Sequence, residues 1–446
     1  MGSAVGVVLD RTSFYAEQGG QVADTGALRG PTGSTVDIDS CIVAAGFVLH
    51  VGQLRQGALA VGDIVTARCV YFVVVTSTRK NKHSVDYVRR SKIVPNHTCT
   101  HVLNFALRRV LGDHVDQKGS IVLPERLRFD FSNNGAVSPE TLGEVEAICR
   151  AQIDDALQVY TAEVPLQQAK GIQGLRAVFG EVYPDPVRVV SIGKDIDALL
   201  ADPTAADNSS YSIEFCGGTH LNNTKEAGAF ALIGEEAVAK GVRRVVAVTG
   251  DEAREAIAAG QALLERIAHA GTLSGPALDA EVQSLKTDVD VAVVPAAVKG
   301  QARSALTTLV KRQLEDAKAR SQAVKQQALA DVRAAAASAE AEGRRYVVLR
   351  TVDGADPKAL SEVWTAVRGG VDALLVASVD GGRVAVFGGC APKGGLDAMT
   401  WTRSVLEMVG GKGGGKGGTC MGTGTTVERL GDALHMAEKV AREALG

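Results

Sequence analysis

Asn96-His97-Thr98-Cys99-Thr100-His101-Val102-Leu103-Asn104 and, more than a hundred residues later, Glu214-Phe215-Cys216-Gly217-Gly218-Thr219-His220-Leu221 carry the deciding chemistry of this chain. Each stretch holds two metal-ligating side chains four residues apart. On a helix, positions i and i+4 share a face, so His97 and His101 point the same way. Gly217-Gly218 predict a tight turn that aims Cys216 and His220 at one point. Three imidazoles and one thiolate complete a tetrahedral zinc set. A shared ion would tie two distant elements together across the fold.

Four donors leave two chemistries open, because structural zinc keeps four protein ligands and catalytic zinc leaves a position for water. The zinc-protease pattern H-E-x-x-H is not met, since Thr98 follows His97 and the general base is missing. Hydroxyls and amides near the ligands (Thr98, Thr100, Gln117, Thr219) are the candidates for setting specificity.

Working outward, short apolar runs over residues 1–92, separated by Gly, Pro and Asp, predict a small β-barrel or sandwich. Pro95 and Asn96 predict the start of a helix ending at Gly112. Ile121–Leu123 and Leu127–Phe131 flank a turn and predict a hairpin. A second amphipathic helix is predicted from Pro139 to about Ala162. The Ala-rich region 251–345 predicts long helices, with 314–345 a solvent-washed spacer. From Tyr346 onward strands and helices alternate, and the chain ends in an amphipathic helix after the Gly- and Lys-rich run 410–418. The expected fold class is α+β. It comprises a barrel (1–92), an α/β zinc domain (93–250), a helical linker (251–345) and a C-terminal α/β domain (346–446).

Composition sets bounds. The chain has 446 residues, 46% apolar and 22% charged, with net charge −3, so no global positive field points to nucleic acid. Seven scattered cysteines argue for a reducing compartment rather than a disulfide framework. No secretory signal and no membrane-spanning apolar stretch is visible, so the expected location is the cytoplasm, with an organelle as the alternative.

At Leu9-Asp10-Arg11-Thr12-Ser13-Phe14-Tyr15-Ala16-Glu17-Gln18-Gly19-Gly20-Gln21, Asp116-Gln117-Lys118-Gly119-Ser120, Gly241-Val242-Arg243-Arg244 and the two metal stretches, the chain resembles the editing half of alanyl-tRNA synthetases. Residues 172–179 and 183–188 resemble the eukaryotic cytosolic branch. The resemblance implies hydrolysis of mischarged Ser-tRNA(Ala) and Gly-tRNA(Ala), with zinc on His97, His101, Cys216 and His220 and pocket residues Thr100 and Gln117. A pocket rejects glycine and serine poorly by size, which makes a second site necessary. The implied partner is the acceptor stem of tRNA(Ala). Glu17-Gln18-Gly19-Gly20-Gln21 resembles a loop near that stem, with Gln18, Gly19 and Gly20 its candidates for tRNA contact. Arg243, Arg244, Lys412 and Lys416 are the basic candidates for tRNA contact, beside other clusters at 89–92 and 108–109. The C-terminal region resembles the family's tRNA-binding module and implies pairing of two copies there.

Departures bear on this reading. No block before Leu9 is long enough for a class II aminoacylation site, so the chain as given is not expected to charge tRNA. Residues 70–84 look inserted. Cys99 stands where the family has a smaller residue. The alternatives are the C-terminal part of a full alanine-tRNA ligase, a stand-alone trans-editing protein, and a non-catalytic tRNA-binding module with structural zinc.

Overall fold

The computed structural model describes all residues except 1–2, 31–32, 68–84, 178–180 and 393–394, so the expected insertion at 70–84 lies outside the described residues. The chain divides into two compact units. The first comprises Met1–Thr272 with Glu281–Thr307, the second Leu273–Ala280 with Thr308–Gly446.

The first unit opens with β1 (Ser3–Val8), β2 (Gly26–Arg29), β3 (Thr35–Ala44), β4 (Phe47–Gln56) and β5 (Thr66–Ala67), hydrogen-bonded in the order β1-β4-β3-β2-β5. The expected barrel is not formed among the described residues. Closure needs the two outer strands to pair. Here β1 pairs only with β4, and the two-residue β5 only with β2. The apolar face of the sheet (Leu28, Val36, Ile38, Cys41) packs instead with Phe14, Ala16, Ala23 and Val85 in one buried cluster.

Helix α1 runs from Tyr87 to Leu111, beginning nine residues before the expected cap at Asn96. Asp86 is the true N-cap, its side chain accepting from the Arg89 amide. Pro95 lies inside the helix, where it removes one backbone donor without ending the helix. Asn96 is buried and braces across the fold. Its Nδ2 donates to the Leu123 carbonyl at 2.8 Å, and its Oδ1 accepts from the Thr249 hydroxyl at 2.8 Å. From Asn96 to Leu107 every residue of α1 is buried, so the helix has no solvent face there.

The hairpin forms as expected, β6 (Gln117–Val122) against β7 (Leu127–Ser132). Helix α2 (Pro139–Asp154) is shorter than expected, because the chain turns at Asp155 and enters β8 (Val159–Val164). Short helices α3 (Leu166–Ala169) and α4 (Ile196–Ala201) flank β9 (Val187–Ile192), and β10 (Ser212–Phe215) completes a sheet in the order β10-β9-β8. β11 (Phe230–Ala239) and β12 (Val242–Thr249) join the hairpin as β11-β12-β7-β6. Leu103, Ala106 and Leu107 of α1 pack on Phe129 and Phe131 of β7 and on Val145 and Cys149 of α2, forming the main core. α5 (Gly250–Ala270) follows, then α6 (Gly275–Val291) and α7 (Ala296–Ala341).

In the second unit β13 (Tyr346–Arg350) runs parallel to β14 (Ala373–Asp380), with β15 (Arg383–Cys390), β17 (Thr419–Gly424) and β16 (Lys412–Gly414) added antiparallel. α8 (Pro357–Val367), α9 (Ala398–Met408) and α10 (Leu430–Leu445) supply Val363, Val405 and Ala437 to its core. The far part of α7 is not the spacer its thin apolar stripe predicts. Ala328, Val332 and Ala339 are fully buried against Val347, Leu374 and Phe387. Small residues let the helix lie close to the sheet, so a narrow stripe suffices. No helix among the described residues is long and apolar enough to cross a membrane.

Candidate metal centre

Asn96 and Pro95 place His97 and His101 in the buried part of α1, one turn apart. β10 ends at Phe215, and the loop that follows carries Cys216 and His220 back to that face. One donor atom from each of the four lies within 4.8 Å of the others. The Cys216 Sγ is 3.3 Å from Nε2 of His97 and 3.3 Å from Nε2 of His220. A tetrahedral zinc with bonds of about 2.0 Å to nitrogen and about 2.3 Å to sulfur separates N and S by about 3.5 Å. The donor set and its spacing therefore fit such an ion.

Two of the three imidazoles have a hydrogen-bond contact on the other nitrogen, the arrangement that fixes tautomer and orientation in metal sites. His97 Nδ1 meets the Gln21 Oε1 at 2.6 Å, and His220 Nδ1 meets the Thr98 hydroxyl at 3.2 Å. His101 Nδ1 has the Glu214 carboxylate 3.6 Å away and no hydrogen-bond partner among the described residues. Arg188 holds the loop, donating to the carbonyls of Cys216 at 2.9 Å and Gly218 at 2.7 Å.

Gly218 is required by close approach rather than by a left-handed turn. A Cβ there would sit 1.9 Å from Cε1 of His97. Burial holds the imidazoles far below their usual 6.5, His101 at about 3, and His97 and His220 down through burial first and then neighbouring imidazoles. They are neutral, as metal ligands must be. Burial pushes the Cys216 thiol up to about 12 and the Glu214 carboxyl up to about 8.

The cluster borders a cleft of about 840 Å³. Thr100, Gln117, Gln18, Gly19 and Gly20 line it with His97, His101 and Cys216. The Thr100 hydroxyl donates to the Asn96 carbonyl at 2.8 Å, which leaves its oxygen free to accept. Gln117 Nε2 donates to Ser120 Oγ at 3.2 Å, leaving the amide oxygen for a ligand. Arg243 and Arg244 are not among the described lining residues, and both are paired, Arg243 with Glu235 at 2.5 Å and Arg244 with Asp130 at 2.8 and 2.9 Å. Lys412 and Lys416 are exposed in the second unit. Cys99 turns away from the cluster into the main core. The sequence does not predict Gln21, Glu214 or Arg188 as neighbours of the metal cluster. Gln21 and Glu214 stand inside the quoted motifs, yet nothing in their spacing tells that they face an imidazole.

Residues 187–246, which include Cys216 and His220, match the family described as "Threonyl and Alanyl tRNA synthetase second additional domain". Residues 1–70 match "tRNA synthetases class II (A)", and residues 343–443 match the "DHHA1 domain". These matches point to the aminoacyl-tRNA synthetase class. Relatives narrow it. The chain is 38% identical over 455 residues to the cytoplasmic alanine–tRNA ligase of Dictyostelium discoideum, covering 99% of this chain and 46% of that one. It is 40% identical over 428 residues to the alanine–tRNA ligase of Schizosaccharomyces pombe, covering 95% and 43%. It is 51% identical over 255 residues to the mitochondrial alanine–tRNA ligase of Saccharomyces cerevisiae, covering 57% and 24%. The chain belongs to the alanyl-tRNA synthetase family, and it spans just under half the length of the first two of these relatives.

Proposed function

We propose that this chain hydrolyses the ester of mischarged Ser-tRNA(Ala) and Gly-tRNA(Ala), with zinc held by His97, His101, Cys216 and His220. The observation that carries the reading is the convergence of three imidazoles and one thiol beside a cleft whose wall presents Thr100 and Gln117. Its volume of about 840 Å³ lies in the range of small-molecule sites and accommodates an aminoacyl-adenosine end. Zinc held by these four residues would supply a Lewis-acidic positive centre beside the cleft. Thr100 Oγ accepts from the seryl hydroxyl, a bond that alanine cannot make. Gln117 offers its amide oxygen to the substrate's amine. Gln18, Gly19 and Gly20 flank the bound 3′ end. Lys412 and Lys416, exposed in the second unit, contact tRNA phosphates, whereas Arg243 and Arg244 are already paired with Glu235 and Asp130, and the C-terminal region also pairs two copies.

One observation favours a second reading. Four protein donors fill a tetrahedron, as in structural zinc sites, so the chain would bind tRNA without turning it over. Incubating the purified chain with Ser-tRNA(Ala) separates the two. Release of serine that is lost in Cys216→Ala supports hydrolysis, and binding without release refutes it.

A further inference from the structure

We infer that Gln21 is a positioning residue of the metal centre, supplied by the turn at 18–21 rather than by either ligand-bearing element. The inference rests on the zinc reading above. Gln21 is fully buried. Its Oε1 receives three donors, Nδ1 of His97 at 2.6 Å, the Thr219 amide at 3.0 Å and the Thr219 hydroxyl at 3.1 Å. A backbone amide can only donate, so the oxygen of Gln21, not its NH2, faces this cluster. His97 must then carry its proton on Nδ1, which leaves the Nε2 lone pair directed at the side where Cys216 Sγ lies 3.3 Å away. One amide oxygen thus sets the tautomer of a ligand on α1 and pins the residue preceding His220.

The turn that delivers Gln21 is itself clamped. Gly20 has φ +82°, and a Cβ on it would lie 2.3 Å from Ser120 Oγ and 2.6 Å from the Ser120 carbonyl. The Val122 amide donates to the Gly20 carbonyl at 2.8 Å, and the Tyr15 hydroxyl to the Gln18 carbonyl at 2.7 Å. The amide is therefore held at a fixed place and cannot follow an imidazole that swings away. The Gln21 Nε2 is buried without a partner among the described residues. That marks a side chain suited to its place by its oxygen rather than by overall satisfaction.

Zinc affinity by competition with a chromophoric chelator, together with the visible spectrum of the cobalt(II)-loaded full chain, tests this in Gln21→Met and Gln21→Glu. Gln21→Met is expected to lose about 10- to 100-fold in affinity with an altered cobalt spectrum, whereas Gln21→Glu keeps an oxygen acceptor and binds at least as tightly as the parent. A folded Gln21→Met with parental affinity and spectrum overturns the inference. If Gln21→Met does not fold, retained binding by Gln21→Glu supports it and weakened binding overturns it. A parent chain that binds neither zinc nor cobalt overturns the metal reading itself, a result distinct from parental binding with an indifferent Gln21→Met.

Discussion

The loop at 216–220 and the run at 410–418 are both rich in glycine and both carry charged or ligating side chains, yet the fold uses them differently. In the first, Gly218 is small so that His97 can lie against the backbone, and unlike donors from two elements meet at one point. In the second, the glycines serve packing. A Cβ on Gly413 would lie 2.4 Å from the Met421 carbonyl and 2.4 Å from Leu406 Cδ1, and one on Gly415 would lie 1.9 Å from the Thr419 carbonyl. The run forms an edge strand laid tightly on β17 and α9, while its lysines point to solvent. Glycine content alone does not mark a site. What distinguishes the first loop is the chemistry of the side chain its glycine admits.

This contrast can be broken by mutation. The largest effect is expected at Cys216→Ala, which removes one of four donors and should abolish stoichiometric zinc, measured by elemental analysis of the purified chain. Gly218→Ala should come close, because its methyl displaces the His97 ring. Gly413→Ala should leave zinc content unchanged while destabilising the second unit by about 1–3 kcal/mol through overpacking, read by thermal melting. If Gly218→Ala binds zinc normally, the close approach has been misjudged.

The pH dependence of zinc affinity sharpens the same point. In the metal-free site the imidazoles are already neutral above pH 6, whereas the thiol, pushed up to about 12, stays protonated. Binding should therefore release one proton, and affinity should fall about tenfold for each unit that pH is lowered between 8 and 6. A steeper slope in competition titrations would show that an imidazole is also losing a proton.

Smaller effects are expected at the cleft wall and in the second unit. Thr100→Val should reduce the preference for Ser-tRNA over Ala-tRNA roughly 10-fold, the loss of one hydrogen bond to substrate. Unchanged discrimination in a deacylation assay refutes its role. Lys412→Ala with Lys416→Ala should weaken tRNA binding a few-fold and lower the salt dependence, seen by titration at two ionic strengths.

The legible parts of the sequence were those whose chemistry is local. The helical spacing of His97 and His101, the alternation in Leu127–Phe131 and the amphipathic C-terminal helix each follow from residue order over a few turns. The start of α1 was misread because Pro95 and Asn96 resemble a cap. The packing of Asn96 against Leu123 and Thr249 keeps the helix running through them. The open N-terminal sheet and the buried stretch of α7 escaped for a similar reason, since closure and burial depend on what other segments fill the space.

By itself the sequence determined which side chains can ligate a metal and which spans form helices and strands, because residue type and short-range periodicity carry that information. Only the tertiary structure decided that Gln21, Glu214 and Thr98 contact the imidazoles, that Arg243 and Arg244 are neutralised by acids, and that the lysines of the glycine run face water. These outcomes depend on contacts between residues far apart in the chain, whose geometry is set by packing and burial rather than by spacing.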